Sequence, residues 1–303
     1  MSADDRPRAA ATPTASDETP ITATPAPGSP AALAELRGRI DALDAEMHQL
    51  LVQRSEIIEA LISVKGTDRP GAAFRPAREA SMMHALVDRH RGRLPIVTIE
   101  HVWREIISTF TWLQQGYTVH VATGDAHETR DIARFYFGFT VPFVTTERPE
   151  EAIAAVGRST SDLAVIRIGA VEGAWWSRLG TADEPRIIGR LPFIDQPGRP
   201  VATPAVVISM ALKDPVAPEI AVFSTTGPAD AAARARLAAA GIDVIAHAGL
   251  ASGATALLVA VDTAEGDADP VAVVAAAAAA GVALGPLRAV GGYARPIVLP
   301  AAD

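Results

Sequence analysis

The sequence predicts a multidomain protein of the α and α/β classes: a three-helix N-terminal module, a small α/β lobe and a ferredoxin-like α+β domain. Three observations predict it. Apolar residues recur at alternating steps of four and three from Leu36 to Val64. At Tyr117 the texture changes to short apolar runs separated by helical stretches, and from Glu219 the elements read β-α-β-β-α-β.

Residues 1–30 hold six prolines among Ala, Thr, Ser and Asp, with only Met1 and Ile21 as large apolar side chains. So little apolar surface cannot offset the entropy of ordering, so this stretch reads as a disordered tail, and it lacks the apolar run of a secretory signal. The first helix follows, with Leu36, Ile40, Leu43, Met47, Leu50, Ile57, Leu61 and Val64 on one heptad-type stripe. Nearly thirty residues without a break between Gly38 and Gly66 make a helix about 45 Å long, suited to an extended bundle or a dimer spine. Gly66 to Ala73 reads as a loop, and Pro76 suits the first position of a second helix whose apolar face is Met82, Met83, Leu86 and Val87. A third helix runs from about Val97 to Gln115, with Ile99, Val102, Trp103, Ile106, Phe110 and Leu113 inward and Gly116 at its end.

Beyond it, Val119–Ala122 and Leu163–Ile168 read as strands, with helices at Thr129–Phe137 and Glu150–Val156. The last part gives strand Ile220–Ser224, helix Ala229–Ala240, strands Ile242–His247 and Ala256–Asp262, helix Pro270–Ala280 and a strand near Leu287–Val290. The predicted division is 1–30 tail, 31–116 helical module, 117–215 α/β lobe and 216–303 ferredoxin-like domain.

The bulk chemistry excludes several classes. A net charge of −8 gives no positive field for nucleic acid, so any anion site must be built locally. The absence of cysteine removes disulfides, thiolate metal sites and a cysteine nucleophile, and fits a reducing cytoplasm, the expected location. The histidines, His84, His90 and His101 among them, lack metal-ligand spacing, and no glycine-rich phosphate loop is present, so neither metal nor cofactor is expected. No apolar stretch reads as a membrane span; the Ala-rich run Val271–Ala283 is too short and too weakly apolar. Trp175-Trp176 reads as an apolar anchor of the core.

The charges on the first helix are more informative. Position 54 should be apolar by the heptad count, yet it is Arg54. Lys65 lies eleven residues later, almost three turns, so the two cations share a face about 16 Å apart, a span a small dicarboxylate could bridge. Arg37 stands seventeen residues before Arg54, about 25 Å away on another face, and could reach the same ligand only from an antiparallel partner chain. Taken singly, each residue keeps a bland reading. Arg54 fits a snorkelling side chain at a bundle seam or a partner of a glutamate. Arg37 and Lys65 fit solvated charges, Arg78 and Glu79 an ion pair near a helix end, Gln114 an exposed terminal residue, and Trp103 and Phe110 core.

Taken together, Leu36-Arg37-Gly38-Arg39-Ile40-Asp41-Ala42-Leu43-Asp44, Arg54, Lys65, Phe74-Arg75-Pro76-Ala77-Arg78-Glu79 and Gln114 resemble the helical class of chorismate mutase over about Ala31 to Gln115. The resemblance implies an intertwined homodimer with shared sites, in which Arg37 crosses to the partner's site and Arg54 binds a substrate carboxylate. It implies Lys65 facing the ether oxygen and a carboxylate, Arg78 holding a carboxylate or supporting the site, Glu79 taking the substrate hydroxyl, and Gln114 donating to the ether oxygen. Two positions depart from the family: many members have an acid where this chain has Arg75, and a small polar residue in the place of Phe110 is missing. The implied reaction, chorismate to prephenate in aromatic amino-acid biosynthesis, is pericyclic. It needs a held conformer and stabilised charge, with no covalent intermediate and no cofactor.

Further along, Asp131-Ile132-Ala133-Arg134-Phe135-Tyr136-Phe137-Gly138 and Pro149-Glu150-Glu151-Ala152-Ile153-Ala154-Ala155-Val156 look like the first lobe of prephenate dehydratase. The segment from about Glu219 to Pro296 is similar to the ACT domain, including Val290-Gly291-Gly292-Tyr293. The stretch between is too short for two lobes, and the Thr-Arg-Phe motif of the dehydratase falls on Thr203-Pro204-Ala205, which keeps only the threonine. The ACT-type ligand sequences are replaced near Gly227-Pro228-Ala229-Asp230 and His247-Ala248-Gly249-Leu250. The expectation is a mutase carrying a shortened, degenerate dehydratase-like lobe without dehydratase activity, and an ACT-like domain. A bifunctional mutase/dehydratase and a non-catalytic ligand sensor with a helical dimerisation module are the alternatives.

Overall fold

The computed structural model describes residues 29–65, 74–123, 127–180, 183–212, 217–263 and 268–301, with the side chain of Lys65 outside the description. The expected tail, save Ser29 and Pro30, and the expected loop Gly66–Ala73 lie outside the described residues. The chain divides into two compact units, 1–56 and 57–303.

The first helix is unbroken, α1 over Pro30–Lys65. Its heptad stripe is exposed: Ile40, Leu43, Met47 and Leu50 each keep more than half of their surface open, as does Ile57. A second helix, α2 (Pro76–Arg89), starts with Pro76 in the first turn and buries Glu79, Ala80, Met83 and Leu86. The third, α3 (Ile96–Gln114), buries Ile96, Val97, Glu100, Arg104, Ile107, Ser108, Phe110 and Thr111. The expected inward face is found in part: Phe110 is buried and Ile99 and Trp103 pack against the core, whereas Val102 and Leu113 are exposed and charges take two of the buried positions.

The α/β part continues as β1 (Val119–Ala122), α4 (Glu128–Phe137), β2 (Phe143–Thr146), α5 (Pro149–Val156), β3 (Leu163–Arg167) and the two-residue β4 (Gly169–Ala170). A 3-10 turn at Trp175–Arg178 leads to β5 (Arg186–Leu191), the short β6 (Ile194–Asp195) and β7 (Ala205–Ser209). After β8 (Ile220–Thr226) come α6 (Ala231–Ala239), β9 (Ile242–Gly249), β10 (Thr255–Asp262), α7 (Pro270–Ala279), β11 (Arg288–Tyr293) and β12 (Ile297–Val298).

One mixed sheet of ten strands carries most of these, in the order β2-β1-β3-β7-β5-β11-β8-β10-β9-β4. β1 runs parallel to β2 and β3, while β7 is antiparallel to both β3 and β5. The last four long strands are antiparallel neighbours in the order β11-β8-β10-β9, the split β-α-β arrangement that the element order from Glu219 predicts. Sequence patterning missed β5 and β7. β7 is five buried residues, too short a run to classify by period, and β5 has Gly189 in its middle and an arginine near each end.

Strand pleating sends alternate residues into separate cores. Val119, Val121, Leu163, Val165, Ala205 and Val207 join one cluster with Met83, Leu86, Ile96, Ile107, Ile132 and Phe137, so α2, α3 and α4 share a core with the sheet. Ala164, Ile166, Val206 and Ile208 turn to the other face, with α5 and the fully buried Trp175 and Trp176. A third cluster joins α6 and α7 to β8, β9 and β10. Two glycines are sterically required. Gly138 ends α4 at φ +71, with both carboxylate oxygens of Glu105 where a Cβ would sit. Gly291 lies at φ +129, paired with Ile187 of β5, and a Cβ there would meet the Ile187 carbonyl oxygen at 2.1 Å.

Candidate active site

The six candidate residues sit in different surroundings. Arg37 is exposed on α1 and Arg54 is half-buried three residues before Ile57, both in the first unit. Lys65 is the last residue of α1 and belongs to the second unit with Arg78, Glu79 and Gln114. Arg78 is exposed on the first turn of α2 and lines a cavity there. The Nε2 of Gln114 donates to the carbonyl of Phe110, one turn back in α3, at 3.0 Å.

Glu79 is buried. Its Oε2 accepts from Nη1 of Arg104 at 2.9 Å, and that guanidinium lies 3.7 Å from the centre of the Tyr136 ring. Burial pushes the Glu79 carboxyl up to about 7, against the opposing pull of Arg104. Four residues before Arg104 on the same face of α3, Glu100 is completely buried and accepts from Nη2 of Arg199 at 3.3 Å. Burial raises the Glu100 carboxyl and lowers the Arg199 guanidinium, each opposed by the other's charge. Arg199 also donates to the carbonyl of Ile194 and stands over the Phe135 ring. Two carboxylates and two guanidiniums thus balance inside the protein, linking α2, α3, α4 and the loop after β6. Balance is what permits the burial, because a lone charge there would cost several kcal/mol. Burial likewise raises the nearby Tyr117 and Tyr136 hydroxyls, so both stay protonated donors.

Sequence reasoning missed Glu100, Arg104 and Arg199. A usable signal existed for two of them. Ile96, Glu100, Arg104, Ile107 and Thr111 follow one helical stripe, so Glu100 and Arg104 occupy positions where an amphipathic helix places apolar side chains. Arg199 carries no such signal, because it comes from a loop.

A set of guanidinium forks with an ammonium can hold a small dicarboxylate, and a lysine beside an amide donor can stabilise a developing negative oxygen. No group of three or more His, Asp or Glu among the described residues is placed to hold a metal ion. Among the described residues, no helix is long and apolar enough to cross a membrane.

Comparison with known proteins agrees with this chemistry. Residues 36–115 match the type II chorismate mutase family, so the chain carries a type II chorismate mutase domain. The bifunctional chorismate mutase/prephenate dehydratase of Neisseria gonorrhoeae is 30% identical over 102 residues, covering 34% of this chain and 27% of that protein. The corresponding protein of Pseudomonas aeruginosa is 26% identical over 147 residues, covering 47% of this chain and 40% of its own. The chain thus spans between about a quarter and two fifths of the length of these relatives. Among solved structures, prephenate dehydratase from Streptococcus mutans aligns with TM-score 0.35 at 14% identity, covering 61% of this chain and 100% of that one. GqqA, described as a novel type of quorum quenching acylase, aligns with TM-score 0.37 at 18% identity, covering 58% of this chain and 94% of that one.

Proposed function

We propose that this chain is a chorismate mutase that rearranges chorismate to prephenate in a homodimer with shared sites. The observation that carries the reading is the match of residues 36–115 to the mutase family, a stretch that contains all six candidate polar residues. In this reading Arg54 and Arg78 grip the substrate carboxylates, and Arg37 arrives from the partner subunit. Lys65 and Gln114 stabilise the ether oxygen as its bond breaks, and binding that strengthens in the transition state raises turnover. Glu79 takes the substrate hydroxyl, and Arg104, bonded to Oε2, is a positioning residue for it. The exposed stripe of α1 supports a second copy as its cover, since an apolar surface of this length is costly to leave in water. The division into 31–116, 117–215 and 216–303, with the last segment ACT-like, belongs to the same reading, as does a cytoplasmic location.

The test is chorismate consumption by the intact protein. Arg37→Ala and Arg54→Ala are each expected to be nearly inactive, while a mixed dimer of the two regains one working site. Failure of the wild type to consume chorismate overturns the mutase reading, and failure of mixing to restore activity overturns the shared site.

One observation favours a second reading. The 147-residue likeness to the Pseudomonas aeruginosa protein is longer than the mutase domain, so it continues into the α/β part. Formation of phenylpyruvate from prephenate at neutral pH would make the chain bifunctional. Thr203 survives there without the Arg and Phe of the motif, and the expected outcome is no phenylpyruvate.

A further inference from the structure

Arg104 is the partner of Glu79, and what holds Arg104 comes from the α/β part of the chain. Its guanidinium lies between two rings, 3.7 Å from the centre of Tyr136 on α4 and 5.8 Å from that of Phe193, just before β6. One turn back on the same face of α3, Glu100 is completely buried, and the cation bonded to it at 3.3 Å is Arg199. Arg199 stands on the loop after β6. It donates from its side chain to the carbonyl of Ile194 and from its backbone N–H to that of Gln196. β12 fixes this loop in turn. It runs parallel to β6, with Ile297 and Leu299 donating to the carbonyls of Phe193 and Asp195 at 2.7 and 2.8 Å. The Nε2 of Gln196 adds a bond to the Pro300 carbonyl at 3.1 Å. A line of neighbours thus runs from the β6–β12 ribbon through Arg199, Glu100 and Arg104 to Glu79.

Charge pairing gives this line a role. Glu100 and Arg104 are four residues apart on α3, where side chains are neighbours, and after Arg199 the next positive charge that Glu100 faces is Arg104. Arg104 therefore stands between two acids. With Arg199 on Glu100, Arg104 is left to bond Glu79. The fields of the exposed Asp195 at Arg199 and of His101 at Glu100 are weaker than the attraction within that pair. Without Arg199, one guanidinium would have to serve two carboxylates. Glu100 would win it, because its side chain is fully buried and the Glu79 side chain keeps 10% of its surface open. Of the four side chains, Glu79 is also the one that a ligand can reach from solvent.

We infer that Arg199, held by the β6–β12 ribbon, is a positioning residue for Glu79: by neutralising Glu100 it leaves Arg104 to Glu79 and so fixes that side chain on α2. The inference rests on the reading of Glu79 as the group that takes the substrate hydroxyl. It makes the α/β part of the chain a contributor to the mutase site, although the stretch that matches the mutase family ends at residue 115.

The test compares variants of the full chain by chorismate turnover per folded molecule and by crystal structure. Arg199→Met is expected to lower kcat about tenfold, the loss of one charge-assisted hydrogen bond at Glu79. Arg199→Met combined with Glu100→Gln removes the acid together with its cation and should regain most of that loss. In a Glu79→Ala background, Arg199→Met should cost no further turnover, because a residue that acts through Glu79 then has nothing to act on. A merely structural loss would add. Arg199→Gln keeps a donor for the loop without the charge, and takes the same tests where Arg199→Met folds poorly. In crystals of either single variant, Arg104 is expected to turn from Glu79 towards Glu100. An Arg104–Glu79 bond retained in those crystals, additive losses in the Glu79→Ala background, or a double variant as poor as Arg199→Met would each overturn the inference. The crystal readout needs no turnover. A wild type that leaves chorismate untouched therefore sinks the mutase reading, while the placement of Arg104 by Arg199 is still decided.

Discussion

α1 and α3 are both long helices patterned with apolar residues, and their patterned faces meet opposite fates. In α1 the stripe from Ile40 to Leu50 is open to solvent, and the charges on it, Arg54 and Lys65, fall within the matched mutase domain. In α3 the buried face carries Glu100 and Arg104 at 0% and 1% exposure, neutralised by Arg199 and Glu79. The difference teaches that an out-of-place charge on a helix stripe has two meanings. On the covered stripe of α3 the charge is paired inside the same chain and holds elements together; on the open stripe of α1 the proposed mutase function assigns it to a ligand.

The sharpest way to break the comparison is at Arg104. Arg104→Ala leaves Glu79 buried without its guanidinium and should destabilise the protein by about 3–5 kcal/mol, read by urea unfolding. Loss of under 1 kcal/mol would show that the pair is not structural. On α1 the counterpart is Lys65→Ala, expected to cut chorismate turnover by ~3–4 kcal/mol of barrier while leaving the unfolding midpoint in place. Turnover close to wild type in a folded variant would remove Lys65 from the chemistry. A third change addresses the stripe itself. Leu43→Asp puts a charge on a face that the proposed dimer buries. It costs association about 3 kcal/mol or more, from two copies of at least ~1.5 kcal/mol each, and sedimentation should show the mass fall from dimer to monomer. A monomeric wild type would instead mean that the stripe has another cover.

Much of this architecture was legible because local signals agreed with one another. Pro76 opens α2, and α1 is unbroken, as its uninterrupted stripe requires. The order strand, helix, strand, strand, helix, strand after Glu219 is found with Asp230 and Asp269 capping the two helices. What escaped lies where the signal is non-local. β7 depends on pairing with β3 and β5 on either side, and the buried face of α3 is set by partners from α2 and from a loop 95 residues further on at Arg199. The same holds for site residues. The residues proposed for the mutase site could be named because they lie within one stretch of the chain at fixed spacing. Arg199 and the β6–β12 ribbon that holds it come from separate stretches and have no sequence pattern.

The mildest probe of the contrast between the helices is pH. Burial raises the Glu79 carboxyl from an ordinary value of 4.5 to about 7. Between those values the native chain holds a proton that the unfolded chain has already released. Stability therefore falls as pH rises from about 4.5 to about 7 and levels off above, the reverse of a carboxylate whose ion pair outweighs its desolvation. From pH 5.5 to 8 the contribution is on the order of 2 kcal/mol. Glu79→Gln, which cannot ionise and keeps an acceptor for Arg104, should flatten this slope while the remaining profile persists. A slope unchanged by Glu79→Gln would place the titration elsewhere and give the Glu79 carboxyl the same pKa in the folded and unfolded chains. The pull of Arg104 would then offset desolvation in full, and the buried pair between α2 and α3 would contribute more to the fold than its surroundings suggest.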